Sequence, residues 1–341
     1  MSRKVLRTLK SRKSILAIVA VVVIALIYSS APTALGISTS TIDFYLNLTM
    51  IMATPLILPT LGEIIAELSG VLNLGLEGIM ASGAAAGVVV AYTTQNAWLG
   101  LLASIFIGMC LALFFDIAVI TFGADQIPTG LGLFFFGLGL SGVIGDPYAH
   151  KVLKYRFDKT PIPVLKDIPL IGKFLFSHDC LVYITLILVV FFYFLIYKTK
   201  IGLVIRAVGE DPGAADAAGH NVFLVRFICV IIGGALAGMG GGYLSLAFSP
   251  GWTAGMSAGR GWIAICLTIF SLWNPAYALI GGWLFGGIFA TVFSLQGMGV
   301  PPRILLMLPY LLTLVVLALI LIVTKGMKGA PSALGIPYSR E

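Results

Sequence analysis

Acidic side chains within apolar stretches are the first residues in this sequence whose types and spacing could do chemistry. Glu63 and Glu67 are four residues apart, which places both carboxylates on one face of a helix. Both come where an apolar run ends, so we expect them at a solvated interface. Glu77 differs, because it lies within an apolar run without a basic neighbour. Charged groups at membrane depth are costly, so Glu77 is either a structural hydrogen-bonded carboxyl or a residue of a solute path.

Other polar residues in the apolar runs are weaker candidates. Glycines between residues 70 and 87 permit close backbone contacts, or a broken helix around Asn73 and Glu77. Asp116 and Asp125 flank the end of another run, and we expect both at the membrane interface. The remaining candidates, each more often a packing or interface residue, are Asn47, Gln126, Arg260 and Gln296.

Sequence signatures of enzymes are missing. The chain has no Gly-rich phosphate loop ending in Gly-Lys-Ser/Thr, no His-Glu-x-x-His and no acids paired around a nucleophile. Its three histidines all lie in polar segments. We therefore predict no catalytic residue, metal site or cofactor in this chain. If it takes part in an energised process, the energy comes from an ion gradient or from a separate ATPase.

Composition defines the class of protein. Of 341 residues, 59% are hydrophobic and only 10% are charged, against about 25% charged residues in soluble domains. Apolar runs near the length of a membrane-spanning helix recur along the chain, which favours helices over a transmembrane barrel. The four cysteines lack metal-ligand spacing and are interpreted as packing residues.

The pattern of apolar runs predicts an all-α polytopic membrane protein with about ten transmembrane helices. The first, at 15–28, follows a basic segment and is interpreted as an anchor because another span follows at once. The others are predicted at 42–62, 70–93, 97–122, 128–145, 180–197, 222–247, 260–274, 276–296 and 304–324.

Basic residues set the predicted orientation. The N-terminal region 1–14, the loop 198–221 and the tail 325–341 are basic and fall on one side of a ten-helix domain at 15–324, so we place both termini in the cytoplasm. The loop 146–179 is also basic yet falls outside. It is rich in proline and aromatic residues, so we expect an ordered segment that is either a docking face or a plain connection.

The segment Arg206–Asn221 is the longest polar break on the cytoplasmic side. Asp211 is a good N-cap, Pro212 suits the first helical position, and Gly219 can close the end. The sequence therefore predicts a short capped helix outside the bilayer. Such a helix either offers a handle to a soluble partner or only turns the chain.

Several ordered motifs resemble the permease subunits of ABC importers, in the branch that handles simple sugars, branched-chain amino acids and nucleosides. The Asn-Leu-Gly-Leu-Glu-Gly version is most similar to nucleoside-type permeases. The motifs are Glu67–Gly78, Arg206–Asn221, Gly234–Ser245, Gly261-Trp-Ile-Ala and Trp273-Asn-Pro.

The resemblance implies that the capped segment is a coupling helix seated in a groove of a cytoplasmic ATPase. Short alanine side chains fit close docking, and acids offer charges for registry. His220 departs from the family, which usually has an apolar residue there. The implied coupling residues are Arg206, Gly209, Glu210, Asp211, Ala215, Asp216, Ala218 and Gly219.

The resemblance also implies partners. These are an ATPase subunit that binds ATP and magnesium, a second identical or homologous permease chain, and an extracytoplasmic solute-binding lipoprotein. The location is the plasma membrane of a prokaryote, and nucleic acid is not a partner.

As a hypothesis, the translocation path is lined by Asn73, Glu77, Tyr243 and Trp252. Nucleobases stack on aromatic rings and need few charges, which fits this sparse polar lining. A sugar or branched-chain amino acid importer differs only in its cargo. An ion-coupled secondary transporter is the alternative of a different class, and it predicts uptake without ATP or a partner.

Overall fold

A computed structural model describes residues 39–149, 151–168, 171–295, 304, 307–311, 313–314, 318 and 329–339. The predicted N-terminal region 1–14, the anchor at 15–28 and Gln296 lie outside these residues. Within the described residues the chain is helical, with one isolated bridge between Ala149 and Trp252 and no strand. The predicted all-α class is confirmed.

The described helices begin and end as follows. They are α1 (Thr39–Leu68), α2 (Leu76–Thr94), α3 (Ala97–Asp116), α4 (Gln126–Gly145), α5 (Ile171–Leu175), α6 (Cys180–Lys198), α7 (Lys200–Glu210), α8 (Pro212–Ala217), α9 (Val222–Tyr243), α10 (Arg260–Phe270) and α11 (Pro275–Leu295). Wider π-helical turns extend α3 through Ile117–Thr121 and α9 through Leu244–Phe248.

Seven of the described helices are long and apolar enough to cross a membrane. Each coincides with one of the predicted spans. They are Thr41–Leu68, Leu76–Thr94, Ala97–Thr121, Gln126–Tyr148, Cys180–Lys198, Val222–Phe248 and Pro275–Phe293.

The predicted span at 260–274 is wrong as a full crossing. Helix α10 has only 11 residues, which at about 1.5 Å per residue cover roughly half of the bilayer's ~30 Å core. Turns at residues 249–259, with Gly259 at φ +76°, precede the helix. Most of 304–324 lies outside the described residues, so the total of ten helices and the cytoplasmic termini stay predictions.

Short polar side chains fix where several helices begin. Asn96 accepts hydrogen bonds from the backbone N–H groups of Trp98 and Leu99 at the start of α3. Asp179 does the same at α6, and Asn221 accepts from Leu224 at α9. These are the residue types that satisfy the free N–H groups of a first helical turn.

Helix α9 packs closely against α2 and α3 through glycines. A Cβ atom added at Gly83 of α2 would lie 2.6 Å from the Gly238 carbonyl oxygen of α9. One added at Gly108 of α3 would lie 2.2 Å from the Gly234 carbonyl oxygen. Small residues let backbones approach in lipid, so the Gly-rich motif of α9 forms the packing seam.

The chain divides into two compact units. One contains the described residues up to Asn47 together with Pro161–Ser177, and in it the Lys173 ammonium pairs with the Asp43 carboxylate. The other contains Leu48–Thr160 and the described residues from His178 onward. There the Phe157 N–H donates to the Leu246 carbonyl at 3.0 Å, so this part of the predicted loop 146–179 is ordered, as expected.

Candidate coupling surface and translocation site

The short helix α8 is capped at both ends by its own segment. Asp211 accepts a hydrogen bond from the Ala214 N–H at 2.9 Å, and Pro212 occupies the first helical position. At the other end Gly219 has φ +88°, the His220 N–H donates to the Ala215 carbonyl, and the Gly219 N–H donates to the Asp216 carbonyl. This pair of bonds is a Schellman motif, so α8 closes as the sequence predicts.

Of the eight predicted coupling residues, some are buried or half-buried against neighbouring helices and the others are exposed. Ala215 is buried with Val208 and Val222, so it fixes α8 onto α7 and α9. Gly209 is buried too, and a Cβ there would lie 2.2 Å from the Leu68 carbonyl oxygen. Arg206 is half-buried over the Tyr197 ring and Asp216 is half-buried. The exposed ones are Glu210, Asp211, Ala218 and Gly219.

Residues after the last span hold this coupling segment in place. The Ser332 hydroxyl donates to Glu210 Oε1 at 2.8 Å, and the Ala333 N–H donates to the Gly209 carbonyl at 3.0 Å. Gly335 N–H donates to the Gly70 carbonyl at 3.2 Å. The tail thus links the coupling segment to the end of α1. No local pattern in the sequence of the tail signals this role.

The segment between α1 and α2 is a hydrogen-bonded break rather than helix. The Asn73 N–H donates to Glu63 Oε1 at 2.9 Å, and the Gly75 N–H donates to Asn73 Oδ1 at 2.9 Å. Gln126 Oε1 accepts from the Leu72 N–H at 2.8 Å. The alternative of a broken helix around Asn73 is therefore the observed one, and buried polar side chains satisfy its backbone.

Glu63 and Glu67 do not lie at a solvated interface. Each is only 1% exposed, because α1 continues to Leu68 and other helices cover its last turns. Glu67 Oε2 accepts a hydrogen bond from the Trp273 indole at 2.6 Å. The expected interfacial position of Asp116 is also wrong. It is fully buried, and neither carboxylate oxygen has a hydrogen-bond partner among the described residues.

Glu77 accepts two backbone hydrogen bonds at the start of α10. Its Oε1 accepts from the Gly259 N–H at 2.7 Å, and its Oε2 accepts from the Gly261 N–H at 2.6 Å. Helix α10 has no side-chain cap of its own. A carboxylate at a helix N-terminus pairs with free N–H groups and the positive end of the dipole. Glu77 therefore caps α10 from another helix, which is a structural role.

Tyr243 and Trp252 lie at separate places in the packed interior. The Tyr243 hydroxyl donates to Asp179 Oδ2 at 3.4 Å, and Tyr243 is fully buried. The Trp252 indole donates to the Ser141 hydroxyl at 3.2 Å and is 3% exposed. Their hydrogen bonds join different elements from those of Asn73 and Glu77. That these four residues line one path stays a prediction.

The family described as branched-chain amino acid transport system / permease component matches residues 44–323. No solved structure was found to match the chain.

Three relatives are similar over nearly their whole length. A Haloferax volcanii protein provisionally named as a glucose ABC transporter permease is 38% identical over 321 residues, covering 87% of this chain and 97% of the relative. The guanosine ABC transporter permease of Bacillus subtilis is 37% identical, with 85% and 94% covered. The nucleoside ABC transporter permease of Lactococcus lactis subsp. cremoris is 32% identical, with 86% and 95% covered.

The chain belongs to the family of branched-chain amino acid transport system permease components. It is a multi-pass protein of the prokaryotic plasma membrane, and a transport component rather than an enzyme. The resemblance expected from its motifs is confirmed.

Proposed function

We propose that this chain is one permease subunit of an ATP-driven ABC importer, and that its cargo is a nucleoside. The observation that carries the coupling role is α8, an exposed helix capped by its own segment and anchored through Ala215. ATP and magnesium bind a separate ATPase subunit that docks on this helix. A second permease chain and an extracytoplasmic solute-binding lipoprotein complete the assembly.

The burial of Ala215 explains how a movement of the ATPase would reach the membrane spans. Burial of Ala215 between Val208 and Val222 makes α8 move with α7 and α9 as a unit. Helix α9 is in turn packed through glycine backbones against α2 and α3. A displacement of α8 is therefore transmitted to these spans as a rigid-body shift. ATP biases the shift only by binding the two states of the ATPase pair differently.

Two cargoes are supported by relatives of this chain. Nucleoside and guanosine permeases match it over most of its length, and so does a protein provisionally named as a glucose permease. We prefer the nucleoside because the Asn73–Gly78 motif is of the nucleoside type and because aromatic side chains suit a nucleobase. A simple sugar is the second candidate.

Transport in proteoliposomes tests the importer. The chain is reconstituted with the ATPase, partner permease and binding protein that purify with it, and uptake of radiolabelled guanosine and glucose is measured. We expect guanosine uptake only with ATP. Uptake by this chain alone, driven by an ion gradient and independent of ATP, would instead identify a secondary transporter.

The docking role is tested by charge on the exposed face of α8. Ala217→Glu places a carboxylate on this face without disturbing the buried Ala215. We expect ATP-driven uptake and co-purification of the ATPase to be lost while membrane insertion stays normal. Ala254→Glu is the matched control, an exposed alanine beyond the opposite end of α9. Equal uptake in both variants would contradict the coupling assignment.

A further inference from the structure

A cavity of about 440 Å³ lies where the π-helical end of α9, the start of α10 and helix α11 meet. This volume falls within the range of about 300–1,000 Å³ that is typical of small-molecule sites. Aromatic rings dominate its wall, with one charged side chain among them. The lining residues include Phe248, Arg260, Phe289, Phe293 and Tyr310.

The cavity lies at the start of helix α10, which follows the break after α9. Helix α10 has 11 residues and so covers about 16 Å. Just beyond its end, Trp273 bonds to Glu67 in the last turns of α1. Arg260 at its start therefore lies about 16 Å from the turn that contains Trp273. In secondary transporters, substrate sites form where broken helices meet, and this cavity has the same kind of surroundings.

Arg260 is the polar group of this cavity, and it is only partly satisfied. Its Nη1 donates to the carbonyls of Met256 and Ser257 at 3.3 and 3.1 Å. The residue is 8% exposed, and its Nε is buried without a hydrogen-bond partner among the described residues. An orphaned donor in such a place is costly unless something binds to it.

The charges around the cavity favour a neutral ligand. Glu77 accepts from Gly259 and Gly261 on either side of Arg260, and its negative charge acts on the guanidinium. The guanidinium lies 5.0 Å from the centroid of the Phe289 ring and 5.9 Å from that of Phe248. An anion is therefore not required to balance Arg260. The Arg260 Nε–H group lacks a hydrogen-bond acceptor, and the neighbouring rings suit an acceptor that belongs to a flat apolar group.

We propose that this cavity binds the base of a nucleoside during translocation, and that Arg260 donates a hydrogen bond to a carbonyl oxygen of that base. The proposal rests on the nucleoside importer proposed above. Aromatic rings stack on any nucleobase, whereas an arginine selects a carbonyl acceptor over an amino donor. The site therefore prefers guanosine and inosine, which carry a carbonyl at position 6, over adenosine, which carries an amino group there.

The test compares guanosine and adenosine uptake by the complete complex in proteoliposomes. In the Arg260→Gln variant we expect guanosine uptake to fall roughly tenfold or more, and the guanosine-to-adenosine ratio to fall at least about fivefold. Arg260→Lys keeps the charge without the planar fork and should lower the ratio less. Basal ATP hydrolysis and expression level report whether each variant assembles. A merely structural arginine would lower both uptakes together and leave their ratio unchanged, which would overturn the proposal.

The stacking role of the aromatic wall is tested at Phe293, which lines the cavity, with Phe136 as the matched control outside it. They are similarly exposed, at 53% and 57%, but Phe136 lines a different cavity without charged residues. We expect Phe293→Ala to reduce uptake of both nucleosides severalfold and Phe136→Ala to leave it unchanged. Equal effects of the two variants would overturn the stacking part of the proposal.

The outcomes also separate this inference from the proposed function. A wild-type complex that imports glucose but no nucleoside would refute the proposal that the cargo is a nucleoside. If the wild type imports nucleosides and Arg260→Gln leaves the guanosine-to-adenosine uptake ratio unchanged, the proposed importer stands. Only the proposed binding site is then refuted.

Discussion

The indole Nε1 of Trp273 lies 2.6 Å from the Glu67 carboxylate, and this bond joins two residues 206 positions apart in the chain. It attaches the turn after α10 to the last turns of α1. Trp273 has φ +56°, a left-handed conformation that costs a non-glycine residue roughly 1–2 kcal/mol. The bond and the complete burial of the ring offset this strain.

Replacing Trp273 by phenylalanine tests the value of this bond. The variant keeps an aromatic ring but leaves Glu67 Oε2 without its donor, and Glu67 Oε1 already has no partner in the described part of the chain. We expect the free energy of unfolding to fall by about 1–3 kcal/mol. Thermal unfolding in detergent measures this loss. If Trp273→Phe and Glu67→Met, which has no carboxylate or amide acceptor, lower stability additively in the double variant, the bond contributes nothing.

Glu77→Gln tests whether Glu77 is a structural cap. A glutamine offers one acceptor oxygen where the carboxylate offers two, so one of the N–H groups of Gly259 and Gly261 loses its acceptor. We expect a stability loss of about 1–3 kcal/mol together with weaker uptake. The measurements are thermal unfolding and transport, with Asn73→Ala assayed beside it. Wild-type stability with lost uptake would instead assign Glu77 to the path.

Two glycines of α4 predict opposite outcomes for the same substitution. A Cβ at Gly137 would lie 2.5 Å from backbone atoms of Gly78, whereas one at Gly139 has no atom within 4 Å. We expect Gly137→Ala to destabilise the protein by about 1–3 kcal/mol through overpacking of α4 on α2. Gly139→Ala should be neutral, or stabilising by up to about 1 kcal/mol. Thermal unfolding of the two variants checks the difference, and equal melting temperatures would refute it.

Substitutions at Gly219 distinguish the effect of backbone strain from the effect of a lost contact with the ATPase. Its φ of +88° favours glycine or asparagine, and the space beside it is open. We expect Gly219→Asn to keep uptake, and Gly219→Val to lose about 1 kcal/mol of stability in the coupling segment. Gly219→Glu adds a charge to the same strain and should abolish ATP-driven uptake. If Gly219→Glu transports as well as Gly219→Asn, this residue does not contact the ATPase.

The buried carboxyl of Asp179 should make the free energy of unfolding depend on pH. Burial raises the pKa of this carboxyl, although the N–H groups of Leu181 and Val182 oppose the shift. A carboxyl with a raised pKa in the folded protein binds its proton more tightly there than in the unfolded chain. Its contribution is therefore complete below the unfolded pKa of about 3.9 and is lost as the pH rises through the raised value.

The matching variant is Asp179→Asn, which still accepts from the helix N–H groups but does not titrate. We expect it to be as stable as the wild type or more so near pH 7, and to lose this advantage as the pH falls towards 4. Melting temperatures of both proteins across this range decide the point. Parallel curves would show that Asp179 does not titrate within it.

Local signals predicted the capped helix α8 well. Asp211, Pro212 and Gly219 act within their own turn, so their spacing sufficed to place both ends of α8. Long apolar runs likewise predicted seven spans, because a bilayer sets the length of a helix. The run at 260–274 misled because apolar composition continues through the turn that ends α10.

Burial could not be predicted from the sequence, because it depends on which helices pack together. The sequence places Glu63 and Glu67 at a solvated interface, yet Trp273 and the Asn73 break cover them. Nothing near Arg260 in the sequence indicates an aromatic cavity, so it is only a weak candidate there. The rings around it come from distant segments, including Phe248 and Phe289.

The order of synthesis gives the tail a further meaning. Ser332, Ala333 and Gly335 bond to Glu210, Gly209 and Gly70, yet the ribosome makes them after every described span. During translation the coupling segment therefore emerges without these contacts, and it reaches its final form only when residues 332–335 leave the ribosome. A chain that stops before residue 332 would therefore contain every described span but lack these contacts to Glu210, Gly209 and Gly70.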